Sequence, residues 1–107
     1  MTFAEYQILA RRTQNDELDP VYKLWHALHG IAAESGEIHS IFQKSYQGHD
    51  IDLEDLIGEM GDLMWFLSEL ADCIGLGLES VVSFNIDKLM RRYPEGFSEE
   101  KSVNREV

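Results

Sequence analysis

LEDLIGEMGDLMWFLSELADCI, residues 53–74, carries the clearest periodicity in the chain. Leu53, Leu56, Ile57, Met60, Leu63, Met64, Leu67, Leu70, Ala71 and Ile74 recur at steps that line one face of an α-helix. Trp65 and Phe66 widen that stripe to almost the whole circumference. A helix apolar nearly all round is central to a bundle or covered by a second chain, and in a protein of 107 residues we expect both. No repeat, low-complexity tract or alternating strand pattern accompanies it, so the fold class reads as all-α.

The flanking segments extend this pattern to a four-helix bundle within a single domain, residues 1–107. Residues 3–13 read as a short amphipathic helix, with Thr2 and Glu5 placed for a capping box, and the polar run TQNDELDP ends it. A longer helix spans about Pro20 to Lys44, with Leu24, Leu28, Ile31, Ile38, Ile41 and Phe42 on its inner side. Gly30 and Gly36 interrupt it at a cost of roughly 1 kcal/mol each against alanine, which points to close packing or a ligand near the backbone. After a turn at YQGHDID and the 53–74 helix, GLGLES links to a fourth helix from about Leu78 to Arg92. Pro94 stops it, and residues from about 93 to 107 read as an extended tail packed on the body or on a neighbour.

Composition narrows the class of function. Twenty acidic against nine basic residues give a formal charge of -11, which argues against a partner such as a nucleic-acid polymer, since its phosphates are held by Lys and Arg patches. A phosphate-bearing ligand would need a cation to mediate. The lone Cys73 excludes an internal disulfide and fits a reducing compartment. No secretory pattern opens the chain, and Glu59, Asp62, Glu69 and Asp72 break its longest apolar stretch, so a cytoplasmic protein without a membrane span is expected.

The second helix contains HGIAAESGEIHSIFQK, residues 29–44, in which Glu34 falls inside the apolar stripe and Glu37 one turn further along. Glu59 and Asp62 repeat the three-residue spacing on the third helix, so each pair projects from one face. A short connection makes the two helices antiparallel, and the pairs then face one another. Four carboxylates in a partly dry groove repel, and the remedies are protonation or a hard divalent cation. Oxygen-only donors suit Mg²⁺ or Mn²⁺ better than Zn²⁺. One isolated E-x-x-E is ordinarily a solvated helix face, whereas two pairs on adjacent apolar helices read as a site. Glu54, Asp55, Glu69 and Asp72 lie nearer the helix ends and read as solvated. A di-iron bundle would need Glu-x-x-His on two helices, and no such motif occurs; His26 and His29, three apart without a third ligand, read as structural or surface.

With these residues in place, GIAAESGEIHSIFQK and EDLIGEMGDLMWFLSELADCIGLGLESV together resemble the E-x-x-E … E-x-x-D signature of the all-α MazG-like nucleoside triphosphate pyrophosphohydrolases. TFAEYQILARRT at the start and NIDKLMRRYPEGFSEEKSVNRE at the end are similar to the small phage and bacterial members, so the resemblance covers nearly the whole chain. It implies a homo-oligomeric helical bundle, dimer or tetramer, that binds Mg²⁺ and cleaves a nucleoside triphosphate between the α- and β-phosphates, with a role in cleaning the nucleotide pool. It further implies Glu34, Glu37, Glu59 and Asp62 as catalytic metal ligands, and Asn85 and Lys88 as substrate-facing, with Arg91 or Arg92 less firmly placed.

An acidic protein binding an acidic substrate is chemically coherent, because a metal ion bridges carboxylate and phosphate oxygens. Glu37 is the acid favoured to accept a proton from the attacking water, although ligand and base are not separable by sequence. Lys88 is suited to a phosphate as a point charge and Asn85 as a neutral hydrogen-bonding group, while the arginines equally favour the helix end they occupy. Lys44 reads either as a reach into the site or as a surface lysine on the last turn. Trp25, Tyr46, Trp65, Phe66 and Tyr93 are candidates for a base-stacking platform, although Trp65 and Phe66 fit a core position better. The competing reading is a catalytically silent helical oligomerisation module whose acidic surface meets a basic partner. Four carboxylates kept beside a core weigh toward the enzyme.

Overall fold

The computed structural model describes residues 1–105, and the final two residues of the expected tail lie outside the described part. The elements run α1 (Phe3–Arg11), α2 (Pro20–Ser45), α3 (Leu53–Cys73), α4 (Leu78–Arg92) and α5 (Glu99–Val103), with no β-strand among the described residues. Each start has a local cause. The Thr2 hydroxyl accepts from the Glu5 amide while the Glu5 carboxylate accepts from the Thr2 amide, a complete capping box. Asp19 caps α2 ahead of Pro20, and Asp52 caps α3 through the Glu54 amide at 2.9 Å. Gly77 offers α4 no side chain, so Gln7 of α1 accepts from the Leu78 amide at 2.7 Å.

The α2–α3 hairpin is the structural centre. His26 meets Glu69, Gly30 meets Phe66, and Glu34 meets Glu59 and Asp62, so the numbering rises along one helix as it falls along the other and the pair is antiparallel. At Gly30 an added Cβ would lie 2.1 Å from Cδ1 of Phe66, so this glycine is what allows the aromatic ring onto the α2 backbone. Gly36 is different: nothing would lie within 4 Å of its Cβ, so close packing within the chain is not its purpose.

Two expectations need correction. The segment from 93 onward is not wholly extended, because Ser98 accepts from the Lys101 amide and starts the short helix α5. Nor do Glu69 and Asp72 face solvent. Glu69 is fully buried, and Asp72 lies under Arg11, Gln7 and Gln14, whose nitrogens donate to it at 2.7–2.8 Å. Burial pushes the Asp72 carboxyl up, but the hydrogen bonds from Arg11, Gln14 and Gln7 outweigh it and hold the group below the usual carboxylate range. This clamp fastens α1 to the end of α3.

The single chain does not close into a bundle of its own. Its radius of gyration is 17.1 Å, against about 13 Å for a compact domain of this length. Its accessible surface is 8149 Å², about a third above the roughly 6,100 Å² typical of a folded monomer of this mass. The fully apolar buried set is small, Ala10, Ala27, Ala71 and Leu78, while Leu53, Ile57 and Met60 on α3 and Phe84, Ile86 and Met90 on α4 stand exposed. No helix among the described residues is long and apolar enough to cross a membrane.

Candidate functional site

Three of the four signature acids converge. Oxygens of Glu34, Glu59 and Asp62 all lie within 4.8 Å of one another, the first from α2 and the other two from successive turns of α3. Glu37 sits exposed one turn beyond Glu34, outside this cluster but near enough for its charge to act on Glu34. The Glu34 carboxyl is pushed up to about 7, first by hydrogen bonding with Glu59, then by burial, then by repulsion from Glu59, Asp62 and Glu37. Its Oε2 is enclosed and has no hydrogen-bond partner. Ionised carboxylates offer each other only acceptors, so this arrangement calls for a proton or a cation.

A cleft of about 400 Å³ opens beside the acids, lined by Thr13, Glu34, Asp62, Trp65 and Phe66. The aromatic wall is fixed from several sides. Trp65 donates its indole N–H to the Ala10 carbonyl at 3.1 Å and to the Thr13 hydroxyl at 2.9 Å, and meets Phe66 edge-on at 5.0 Å. Burial and then the charge of Asp62 push the Tyr6 phenol up.

The remaining candidates are not at the acids. Asn85 lines a separate cleft with Phe3, Val82, Ser83, Ile86 and Asp87. Lys88 and Arg91 stand on the same helix, and α4 contributes nothing to the lining of the carboxylate cleft. Lys44 is exposed in the last turn of α2. Trp25 stacks on His29 at 5.9 Å, and Tyr46 is exposed beyond the helix end. Sequence reasoning missed Thr13, and it read His26 and Glu69 separately when they form a pair, Nδ1 to Oε1 at 2.7 Å. One signal was visible: His26, Gly30 and Glu34 recur every four residues, a single stripe of α2.

A helical hairpin that brings carboxylates from both arms together beside a cleft puts the chain in an all-α class with an acidic centre. The match to a family is direct: residues 25–97 fit the MazG nucleotide pyrophosphohydrolase domain, and the chain belongs to that family. It is also similar to the Gene 37 protein of Mycobacterium phage L5, with 29% identity over 109 residues, covering 94% of this chain and 96% of that protein. No solved structure matches the chain.

Proposed function

We propose that the protein is a Mg²⁺-dependent nucleoside triphosphate pyrophosphohydrolase that converts a (d)NTP and water to the (d)NMP and pyrophosphate. The observation that carries this reading is the convergence of Glu34, Glu59 and Asp62, with Glu34 Oε2 enclosed and unpartnered. The donor set fits the ion: three hard carboxylate oxygens without nitrogen or sulfur suit Mg²⁺, with Mn²⁺ as a substitute. Glu34, Glu59 and Asp62 would hold it, and when bound it supplies charge neutralisation on the phosphates and activation of water.

The chain's own groups do the rest. Glu37, exposed beside the cluster, is the carboxylate left to accept a proton from water as it attacks the α-phosphorus and the bond to the β-phosphate oxygen breaks. The walls formed by Trp65 and Phe66 limit water on one side of the cleft. Asn85, Lys88, Arg91 and Lys44 stand away from the cleft of their own chain, so a role for them in substrate binding requires a second copy to bring α4 or the end of α2 over the acids. The open radius and the exposed apolar faces of α3 and α4 support such a homo-oligomer. Service in clearing the nucleotide pool belongs to the same proposal.

Hydrolysis in ¹⁸O-labelled water tests the bond assignment. The label is expected in the nucleoside monophosphate and not in pyrophosphate; release of nucleoside diphosphate and inorganic phosphate would reject the reaction.

A further inference from the structure

Among the described residues Glu69 is the largest fully buried side chain, a carboxylate between packed helices with one polar partner, His26 Nδ1, and with its Oε2 unpartnered. Burying such a group is costly, and an apolar pair of similar volume generally holds two helices together as well or better. The pair therefore calls for a purpose besides adhesion. His26 is anchored at one nitrogen yet 45% exposed, so the anchored ring presents its other edge outward. That ring stands edge-on to Trp65 at 6.3 Å and 5.4 Å from Phe66, the two residues that make the apolar wall of the carboxylate cleft.

The placement follows from the α2 stripe. His26 and Glu34 share one face with two helical turns between them, about 12 Å along the axis. With the triphosphate held at the acids through a divalent cation, an apolar path open to the rest of a nucleotide runs along the hairpin, over Trp65 and Phe66 toward His26. Aromatic faces accept any base, so discrimination there needs a polar group held in a fixed orientation. His26 is such a group: Glu69 fixes its ring angle, and an ionised carboxylate, which can only accept, assigns the bound hydrogen to Nδ1.

We propose that His26 contacts the nucleobase of the substrate at the aromatic end of the cleft, and that Glu69 is its positioning residue. This rests on the nucleotide reading above and specifies which part of the substrate lies where.

The test uses the full-length chain and the double variant His26→Phe/Glu69→Leu, which removes both polar groups together and avoids stranding a buried charge. Binding of the four α,β-methylene deoxynucleoside triphosphates, which resist cleavage, is measured by calorimetry with Mg²⁺. In parallel, Kd is measured for the α,β-methylene form of 2-deoxyribose 5-triphosphate, which has no base. The double variant is expected to bind its preferred nucleotide about tenfold more weakly, the scale of one lost hydrogen bond. The spread of affinities across the four bases should narrow, and the base-free probe should bind unchanged. Glu69→Gln, which keeps an acceptor for the Nδ1 hydrogen, should retain most of the discrimination.

An unchanged ranking of bases, an equal loss on the base-free probe, or no nucleotide binding by the parent chain would each overturn the assignment. Because cleavage is not required, a parent chain that binds with base preference but releases no pyrophosphate would reject the proposed reaction and leave the base contact standing.

Discussion

Glu34 of α2 and Glu59 of α3 bring their carboxylates together across the hairpin, and the Glu34 group is pushed up to about 7 as a result. In the folded chain that value lies above the ordinary 4.5. Between the two values the folded protein keeps a proton that the unfolded chain has lost, so metal-free stability falls as pH rises from about 4.5 to about 7 and stays low above it. Thermal melts in EDTA should show this decline. Glu59→Gln should flatten it and raise the melting temperature at pH 8, and Mg²⁺ should do the same for the parent by mass action. A melting temperature indifferent to Mg²⁺ together with a destabilised Glu59→Gln would make these acids structural.

The Asp72 clamp has the opposite sign. Its carboxyl is held below the usual range, so the stability it provides is present above the unfolded value and is lost as pH falls through the folded one. Asp72→Ala strands the Gln14 amide nitrogen, takes one of two acceptors from Gln7, which keeps the Leu76 carbonyl, and leaves the half-exposed Arg11 to water, so it should cost about 1–3 kcal/mol in denaturant unfolding. Asp72→Asn, which keeps an acceptor, should cost less.

The two glycines of α2 should respond differently to alanine. Gly30→Ala drives a methyl group into the Phe66 ring and is expected to destabilise by about 1–3 kcal/mol or more. Gly36→Ala meets nothing and should stabilise the helix by about 0.5–1 kcal/mol. If Gly36→Ala instead lowers activity while stability rises, its open face is where substrate or a second chain approaches.

The exposed apolar faces predict self-association. Sedimentation at micromolar concentration should give an oligomer, and Ile57→Lys, on a side chain 66% exposed within one chain, should shift it toward monomer. A monomeric parent would contradict the oligomer and leave α4 without a route to the acids.

Much of this was legible from residue spacing. The helices α2, α3 and α4 start at Pro20, Leu53 and Leu78, where the apolar spacing begins, and the acidic pairs stand out because charge inside an apolar stripe needs a reason. The burial of Glu69 was not legible, because its partner is 43 residues away and a lone acid near a helix end looks solvated. The contrast between Gly30 and Gly36 was equally hidden, since what faces each glycine depends on the register of α3. Signature spacing placed four acids on facing helices, but the separation of Glu37 from the other three depends on how far its turn has rotated out of the interface.

Pyrophosphate release from a panel of ordinary and modified (d)NTPs, with Mg²⁺, Mn²⁺ or EDTA, tests the central claim most directly. The parent should release pyrophosphate from at least one nucleotide only when the metal is present, and Glu34→Gln and Asp62→Asn should each lower the rate by more than about 100-fold, beyond the usual cost of losing an outer-shell partner. Absence of metal-dependent release from every nucleotide at high enzyme concentration, or undiminished release by both variants, would contradict it.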